Sequence, residues 1–286
     1  AITAGGSLVT PIIPPGIALI IYGLVADVSI GKMFIAGLVP GLLCAVVLMF
    51  TVYLVARKTN AKPSRESWPT GKEVVFSLGQ AWPALFLIFA VVGGIRANIF
   101  TPTEAGAVAV LIVLAIGFFI YREMRISHVV KALGETARAT ASVMLVIMAS
   151  AALGWIFSME HAGVAVANFV TSLTENKYMF LLIINILLLT LGMFLEGNAI
   201  LLILVPLLKP VVEHFGIDPV HFGIIMIFNL SIGAFTPPVG TVMLLVCNIT
   251  QVSVGNFFKQ SLPLLAALLL MLMLVTYIPA ISLFLV

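Results

Sequence analysis

The chain has 286 residues, of which 62% are hydrophobic and only 9% are charged, and its mean hydropathy is +1.24. An ordinary soluble domain carries roughly 25% charged residues, so this composition excludes a soluble globular protein. The net charge of +3 comes from basic loops and does not indicate a nucleic-acid partner. The two cysteines, Cys44 and Cys247, lie in apolar stretches and predict no disulfide, metal or redox site.

Apolar runs long enough to cross a bilayer recur along the whole chain, each crossing taking about 20 residues as a helix. Backbone polar groups must be paired inside the hydrocarbon, and these runs are too long and too uniformly apolar for barrel strands. We therefore predict an all-α polytopic membrane protein. Two basic segments, residues 57–72 and 122–131, are separated by two apolar passes, so the positive-inside rule places both in the cytoplasm.

The first predicted element is an apolar helix interrupted at Thr10-Pro11-Ile12-Ile13-Pro14-Pro15-Gly16. A proline lacks an amide hydrogen and clashes with the carbonyl four residues back, so the helix must open and leave carbonyls unpaired. Val28-Ser29-Ile30-Gly31 follows, and Pro40 is predicted to open a second long helix that ends near Val55.

Between the two basic segments, the apolar passes Trp82 to Asn98 and Thr103 to Tyr121 are joined by a turn that reads Thr101-Pro102-Thr103-Glu104. This pattern predicts a capping box with proline at the first helical position, so we interpret Glu104 as structural rather than as a proton relay. The next helix opens near Glu135, with its first turns along the interface. The stretch from Met159 to Lys177 could be re-entrant or could lie flat, and both placements stay open.

A helical hairpin whose tip reaches into the membrane is predicted near residues 179–210. Its first arm is Leu181 to Leu195, its turn is Glu196-Gly197-Asn198, and its second arm ends at Pro206 to Pro210. We interpret Asn198 as the N-cap of the second arm. For Glu196 two roles stay open, stabilising the tip and contacting a cation or proton. Asn229, further along, is predicted to hydrogen-bond between helices.

The later half repeats the plan of the beginning. Thr236-Pro237-Pro238-Val239-Gly240 interrupts an apolar helix, Val252-Ser253-Val254-Gly255 follows, and Pro263 precedes a long helix. The distance from double to single proline is the same in both copies, which favours an inverted-topology repeat. A lone double proline is more often a simple kink, but two matched breaks favour a transport site. Carbonyl oxygens beside threonine hydroxyls suit Na⁺, and a new helix N-terminus suits an anion.

Taken together, these segments resemble the large membrane subunit of tripartite ATP-independent periplasmic (TRAP) transporters. The resemblance implies a sodium-driven importer with an elevator-type transport domain in the bacterial inner membrane, with no cofactor other than Na⁺ as coupling ion. It also implies a small acidic solute, a periplasmic binding protein that delivers it, and a small membrane subunit. The strings that carry the resemblance are Gly192-Met193-Phe194-Leu195-Glu196, Pro206 to Pro210, Phe215 to Gly223, Gly233 to Gly240, Phe100 to Ala105 and Pro14-Pro15.

The resemblance also implies where the sites lie. Na⁺ would be bound, mostly by backbone carbonyls, at Gly6, Thr10, Pro11, Gly192, Gly197, Asn198, Thr236, Pro237, Val239 and Gly240. Substrate or tip candidates are Pro14, Pro15, Glu196 and Pro238. The implied organisation is a first broken helix (1–32), scaffold helices with cytoplasmic basic loops (33–135), a second-repeat transport domain (136–260) with its broken helix near 222–249, and a C-terminal scaffold helix (261–286).

The family's large subunit carries a first hairpin before the first proline break, whereas this sequence begins at that break. We therefore expect the chain to be the C-terminal portion of a longer polypeptide. The alternative is a stand-alone sodium-coupled dicarboxylate or anion carrier that needs no binding protein, and only the family-like strings argue against it.

Other classes of protein find less support in the sequence. An intramembrane enzyme is not indicated, because the sequence has no His-Glu-x-x-His, Gly-x-Ser-x-Gly or paired intramembrane aspartates. His128, His161, His214 and His221 all fall in or beside predicted loops, where we expect solvent-facing or capping roles. A channel would predict pore-lining polar stripes, and ATP use would predict a phosphate-binding glycine-rich loop, and neither pattern is found.

Overall fold

The computed structural model describes residues 2–59, 70–97, 99–160 and 162–286. The regular structure throughout these residues is helical. Lys62 and Arg65 of the predicted cytoplasmic loop, Asn98 and His161 lie outside the described residues. The helices are α1 (Ile2–Ser7), α2 (Ile17–Ala26), α3 (Ile30–Lys58), α4 (Gly71–Arg96), α5 (Pro102–Ala115) with a π-helical turn at Ile116–Ile120, α6 (Ile126–Met159), α7 (Ala162–Leu173), α8 (Lys177–Phe194), α9 (Gly197–His214), α10 (Pro219–Phe235), α11 (Thr241–Thr250), α12 (Val254–Tyr277) and α13 (Ala280–Leu283).

Seven helical stretches of the described residues are long and apolar enough to cross a membrane. Large apolar side chains such as Phe50, Phe89 and Leu145 are exposed along them, as expected of surfaces that face lipid. The prediction of an all-α polytopic membrane protein is thus confirmed. The seven stretches are Ile30–Lys58, Gly71–Arg96, Thr103–Ile120, Ile126–Ala149, Lys177–Phe194, Gly197–His214 and Val254–Tyr277.

The chain divides into two compact units, and the first contains Ala1–Arg57 and Val146–Val286. Its centre is α10, which is apolar on all sides and nearly all of whose residues are buried. Helices α2, α8, α9, α11, α12 and α13 pack around α10. The stretch whose placement was open contains the 12-residue helix α7, which packs against α9.

The second unit is Lys58–Leu145, in which α4 packs against α5. The backbone N–H of Thr101 donates to Glu104 Oε2 (2.8 Å), and the N–H of Glu104 donates to Thr101 Oγ1 (3.3 Å). Pro102 occupies the first helical position, where its missing amide hydrogen costs nothing. The predicted capping box is therefore confirmed.

A helix is interrupted at each double proline. In the first unit α1 ends at Ser7 and α2 begins at Ile17, while α10 ends at Phe235 and α11 begins at Thr241. The Pro14-Pro15 and Pro237-Pro238 peptide bonds are both cis. Helices α2 and α11 each have 10 residues.

The single prolines lie inside helices, so the prediction that Pro40 opens a helix is wrong. Pro40 lies within α3, and Pro263 lies within α12. Each helix begins directly after a serine, Ser29 or Ser253, a residue type favoured at the N-cap. Prolines inside long membrane helices are tolerated because neighbouring groups re-satisfy the freed carbonyls.

The hairpin is longer than predicted. Its second arm, α9, continues through Pro206 and Pro210 to His214, for the same physical reason. Only Leu195 and Glu196 separate its two arms, α8 and α9.

Candidate functional site

The tip of the hairpin is held by its own side chains. Glu196 is the N-cap of α9, and its Oε2 accepts a hydrogen bond from the N–H of Ala199 (2.9 Å). The side-chain amide of Asn198 donates to Glu196 Oε1 (2.7 Å). The expectation that Asn198 caps α9 is therefore wrong, because α9 begins one residue before Asn198. Glu196 stabilises the tip, which is one of the two roles that the sequence left open.

The tip is joined to the second break by backbone contacts. The N–H of Gly240, at the start of α11, donates to the carbonyl of Met193 in the last turn of α8 (3.1 Å). A Cβ added to Gly233 would lie 2.7 Å from the Gly192 Cα, so α8 and α10 touch backbone to backbone. Gly197 faces Leu230 of α10. We call this contact region, formed by residues 192–198 and 233–240, the tip–break junction.

Within the junction, the second break is compact. Thr236 is buried, and its Oγ1 donates to the carbonyl of Ile232 (2.7 Å). Because that proton is already donated, the lone pairs of the hydroxyl remain available to a cation. Gly240 has a φ of 36°, and a Cβ there would lie 2.7 Å from the Thr236 carbonyl oxygen. The backbone turns here through a conformation that favours glycine. Pro237 is half-buried, and Pro238 and Val239 are exposed.

The first break is packed differently, by turns that lie against α3. A Cβ on Gly37 would collide with the carbonyl oxygen of Ile12, and one on Gly41 would meet the Ile13 side chain. Gly16 closes the break by facing the carbonyl oxygen of Pro11, which a Cβ would approach to 2.5 Å. Of the other predicted residues, Pro14 is buried, Pro11 is half-buried, and Gly6, Thr10 and Pro15 are exposed.

The structure therefore assembles the predicted residues into two groups. Gly192, Gly197 and Gly240 make the contacts of the tip–break junction, and Glu196, Asn198, Thr236, Pro237 and Pro238 lie in the two segments that form it. The first-break group does not share these contacts, and α1 packs instead against α11 and α12. Among the described residues no cluster of three or more His, Cys, Asp or Glu could hold a metal ion.

Sequence reasoning missed several buried polar residues of the first unit. Asn229 does hydrogen-bond between helices, as predicted, but its partner Asn185 was not singled out. A lone asparagine in a wholly apolar segment was an available signal. His221 is buried, with Nδ1 2.6 Å from Ser282 Oγ, so the expected solvent-facing or capping role is wrong for this histidine. His221 lies in the first turn of α10, and α13 packs against this helix.

Long apolar helices, a two-residue hairpin turn and interrupted helices define a polytopic helical membrane protein. The chain belongs to the family described as tripartite ATP-independent periplasmic transporter, DctM component, which matches residues 1–281. Family membership and the seven candidate spans make it a multi-pass protein of the bacterial inner membrane.

Three relatives illustrate the family. The chain is 41% identical to the C4-dicarboxylate TRAP transporter large permease protein DctM of Pseudomonas aeruginosa, over 95% of this chain and 63% of the relative. It is 39% identical to the sialic acid TRAP transporter large permease protein SiaM of Vibrio cholerae, over 99% and 66%. It is 33% identical to the 2,3-diketo-L-gulonate TRAP transporter large permease protein YiaN of Escherichia coli, over 96% and 64%. The chain spans less than two thirds of the length of these relatives.

Proposed function

We propose that this chain carries ion and substrate contacts of a Na⁺-coupled TRAP importer for small carboxylates or other acidic organic solutes. The observation that carries the proposal is the tip–break junction, where the Gly240 N–H and the Met193 carbonyl join a hairpin tip to an interrupted helix. The three relatives are named for C4-dicarboxylate, sialic acid and diketogulonate, all of which are organic acids.

Na⁺ is proposed to bind at the junction without a charged ligand. Pro237 and Pro238 offer no amide hydrogens, so the carbonyls of the preceding turn lose their usual helical donors. One of them, Gly233, accepts instead from the N–H of Thr236 (3.0 Å). Carbonyl and hydroxyl oxygens are hard ligands, which alkali cations prefer. The proposed ligand set is Gly192, Gly197, Asn198, Thr236, Pro237, Val239 and Gly240, with Gly6, Thr10 and Pro11 serving a second ion at the first break.

An elevator movement of an inverted repeat is proposed for the same unit. The Tyr22 hydroxyl, near the end of α2, donates to the carbonyl of Pro219 at the start of α10 (2.7 Å). The C-terminal half of α2 therefore contacts the N-terminus of α10. In the proposed repeat, α1 corresponds to α10 and α2 corresponds to α11. The helix after each break packs on the helix before the other break, since α2 contacts α10 and α11 contacts α1. Asp27 and Gln251 end α2 and α11 in the same left-handed conformation. These features support an inverted relation.

The proposed moving body includes the hairpin and both broken helices. The family resemblance implies that residues 261–286 belong to the scaffold, and this stays a prediction. Two hydrogen bonds of Thr276 favour placing this segment in the moving body instead. Asn185 of α8 donates to Thr276 Oγ1 (3.0 Å), and His221 of α10 lies 3.3 Å from the Thr276 carbonyl oxygen.

The acidic solute is proposed to bind at helix N-termini, because Lys and Arg are absent from the sequence of both breaks. The N-terminus of α11 opens at Thr241 and has no side-chain cap, whereas that of α9 is already capped by the Glu196 carboxylate. Backbone amides and bound Na⁺ would supply the positive potential. A structure with substrate whose carboxylate is held by a loop arginine would contradict this part of the proposal.

The experiment is uptake into proteoliposomes that contain the complete transporter, meaning the large permease with the small membrane subunit. Labelled succinate and sialic acid would be offered with and without the periplasmic binding protein, under a Na⁺ gradient or an equal K⁺ gradient. We expect uptake only with both Na⁺ and the binding protein. Uptake that needs Na⁺ alone would favour the stand-alone carrier, and uptake under K⁺ would refute sodium coupling.

A further inference from the structure

Buried polar side chains link three helices in the first unit. Asn185 on α8, Asn229 on α10 and Thr276 on α12 are each at most 1% exposed. The Asn229 side-chain amide donates to Asn185 Oδ1 (2.6 Å) and to the Asn185 carbonyl oxygen (3.1 Å). Asn185 Nδ2 donates in turn to Thr276 Oγ1 (3.0 Å). Three helices of an apolar interior are therefore joined by neutral hydrogen bonds.

The backbone fixes which way the Asn229 amide points. The carbonyl of Asn185 can only accept, so the nitrogen of Asn229 must face it. Exchanging the nitrogen and oxygen of this amide would set two acceptors against each other. Asn229 Oδ1 therefore points away from Asn185, and no donor among the described residues reaches it, although Asn229 is 0% exposed. A buried acceptor without a donor is destabilising, and such groups are usually paired with ordered water.

We propose that Asn229 Oδ1 accepts a hydrogen bond from one internal water held beside α10. A neutral O–H donor fits better than a cation, because a bound cation needs several oxygen ligands. The nearby oxygens of Asn185 and Thr276 already accept from amide donors. This site goes beyond the proposed transport function. Asn229 lies one helical turn before Gly233 in α10 and is not one of the proposed ion ligands.

The first test is a structure of the complete transporter at a resolution that reveals ordered water. We expect a density peak about 3 Å from Asn229 Oδ1, the distance of an ordinary hydrogen bond. An Oδ1 with no donor within that distance would overturn the proposal. A protein donor from another part of the complete transporter at that position would overturn it as well.

The second test uses solution measurements to decide whether water or a cation lies beside Asn229 Oδ1. Its measurement of Na⁺-dependent stabilisation rests on the proposed function. Asn229→Leu leaves Asn185 Oδ1 without its donor, so we expect the melting temperature of the complete transporter to fall by roughly 2–4 °C or more. Ser231→Ala is the matched control, because its buried hydroxyl donates to the Ile227 carbonyl of its own helix.

The number of Na⁺ ions then decides between the occupants. We expect the double variant Asn185→Leu, Asn229→Leu to keep the Hill coefficient of Na⁺-dependent stabilisation, since no ion is lost. A Hill coefficient lower by about one would identify the occupant as Na⁺ and overturn the water proposal. If the unmodified transporter does not respond to Na⁺ at all, the proposed sodium coupling fails, and the density alone decides the hydration site.

Discussion

The two helix breaks have similar sequences and different surroundings. At the second break, the tip of a hairpin from the same chain is hydrogen-bonded to Gly240 and packed backbone to backbone at Gly233. At the first break, the turns lie against α3, with Gly37 beneath the Ile12 carbonyl. Both proline pairs interrupt a helix, and at the second break the hairpin tip also reaches the opening.

The same contrast appears in the two threonines that precede the prolines. Thr236 is buried and its hydroxyl is oriented by the Ile232 carbonyl, whereas Thr10 is exposed. An oriented, dehydrated oxygen binds a cation more strongly than an exposed one, because less water must be displaced on binding. The second break therefore holds a threonine oxygen that is already oriented and buried.

The largest effect is expected from Gly233→Ala. The added Cβ would lie 2.7 Å from the backbone of Gly192, so α8 and α10 must separate. Overpacking of this kind costs about 1–3 kcal/mol, and we expect uptake by the complete transporter to fall by roughly tenfold or more. Gly255→Ala is the control, since nothing lies within 4 Å of its added Cβ. Equal uptake by the two variants would show that the backbone contact is dispensable.

A smaller loss is expected from Gly37→Ala at the first break. The added Cβ collides with the carbonyl oxygen of Ile12, but Ile12 lies in a turn segment that can shift more easily than a helix. We therefore predict an uptake rate between those of Gly233→Ala and the unmodified transporter. A loss greater than that of Gly233→Ala would reverse the ranking of the two breaks.

Replacing Glu196 tests whether the tip must be capped. Glu196→Ala removes the acceptor for the Ala199 N–H, and loss of an N-cap costs about 1 kcal/mol. Glu196→Gln keeps an acceptor oxygen, so we expect it to retain most of the uptake that Glu196→Ala loses. If both variants fail equally, the negative charge itself is required, and the role in contacting a cation or proton would be favoured.

The smallest effect is expected from Glu104→Ala, far from both breaks in the sequence. This change removes the capping box at the start of α5. We predict a slightly lower melting temperature and an unchanged Na⁺ concentration for half-maximal uptake. A changed Na⁺ requirement would contradict the purely structural interpretation of Glu104.

Local patterns predicted much of this molecule. Apolar length predicted the spans, the double prolines marked both interruptions, and Thr101 with Glu104 formed the expected box. Several errors came from features that no local pattern contains. The cap of α9 depends on which residue first becomes helical, and the burial of His221 depends on the chain end folding back over α10. Asn185 and Asn229 are 44 residues apart and are paired only by the packing of α8 on α10.

The most direct test of the account is Na⁺ binding to the complete transporter carrying Thr236→Ala, measured with radioactive Na⁺ at equilibrium. Thr250→Ala is the matched control, because Thr250 makes the same hydroxyl bond to the carbonyl four residues back (2.7 Å) at an exposed position. We predict that Thr236→Ala weakens binding by roughly tenfold, or about 1.4 kcal/mol, while Thr250→Ala binds normally. Equal Na⁺ binding by both variants and the unmodified transporter would contradict an ion site at the tip–break junction.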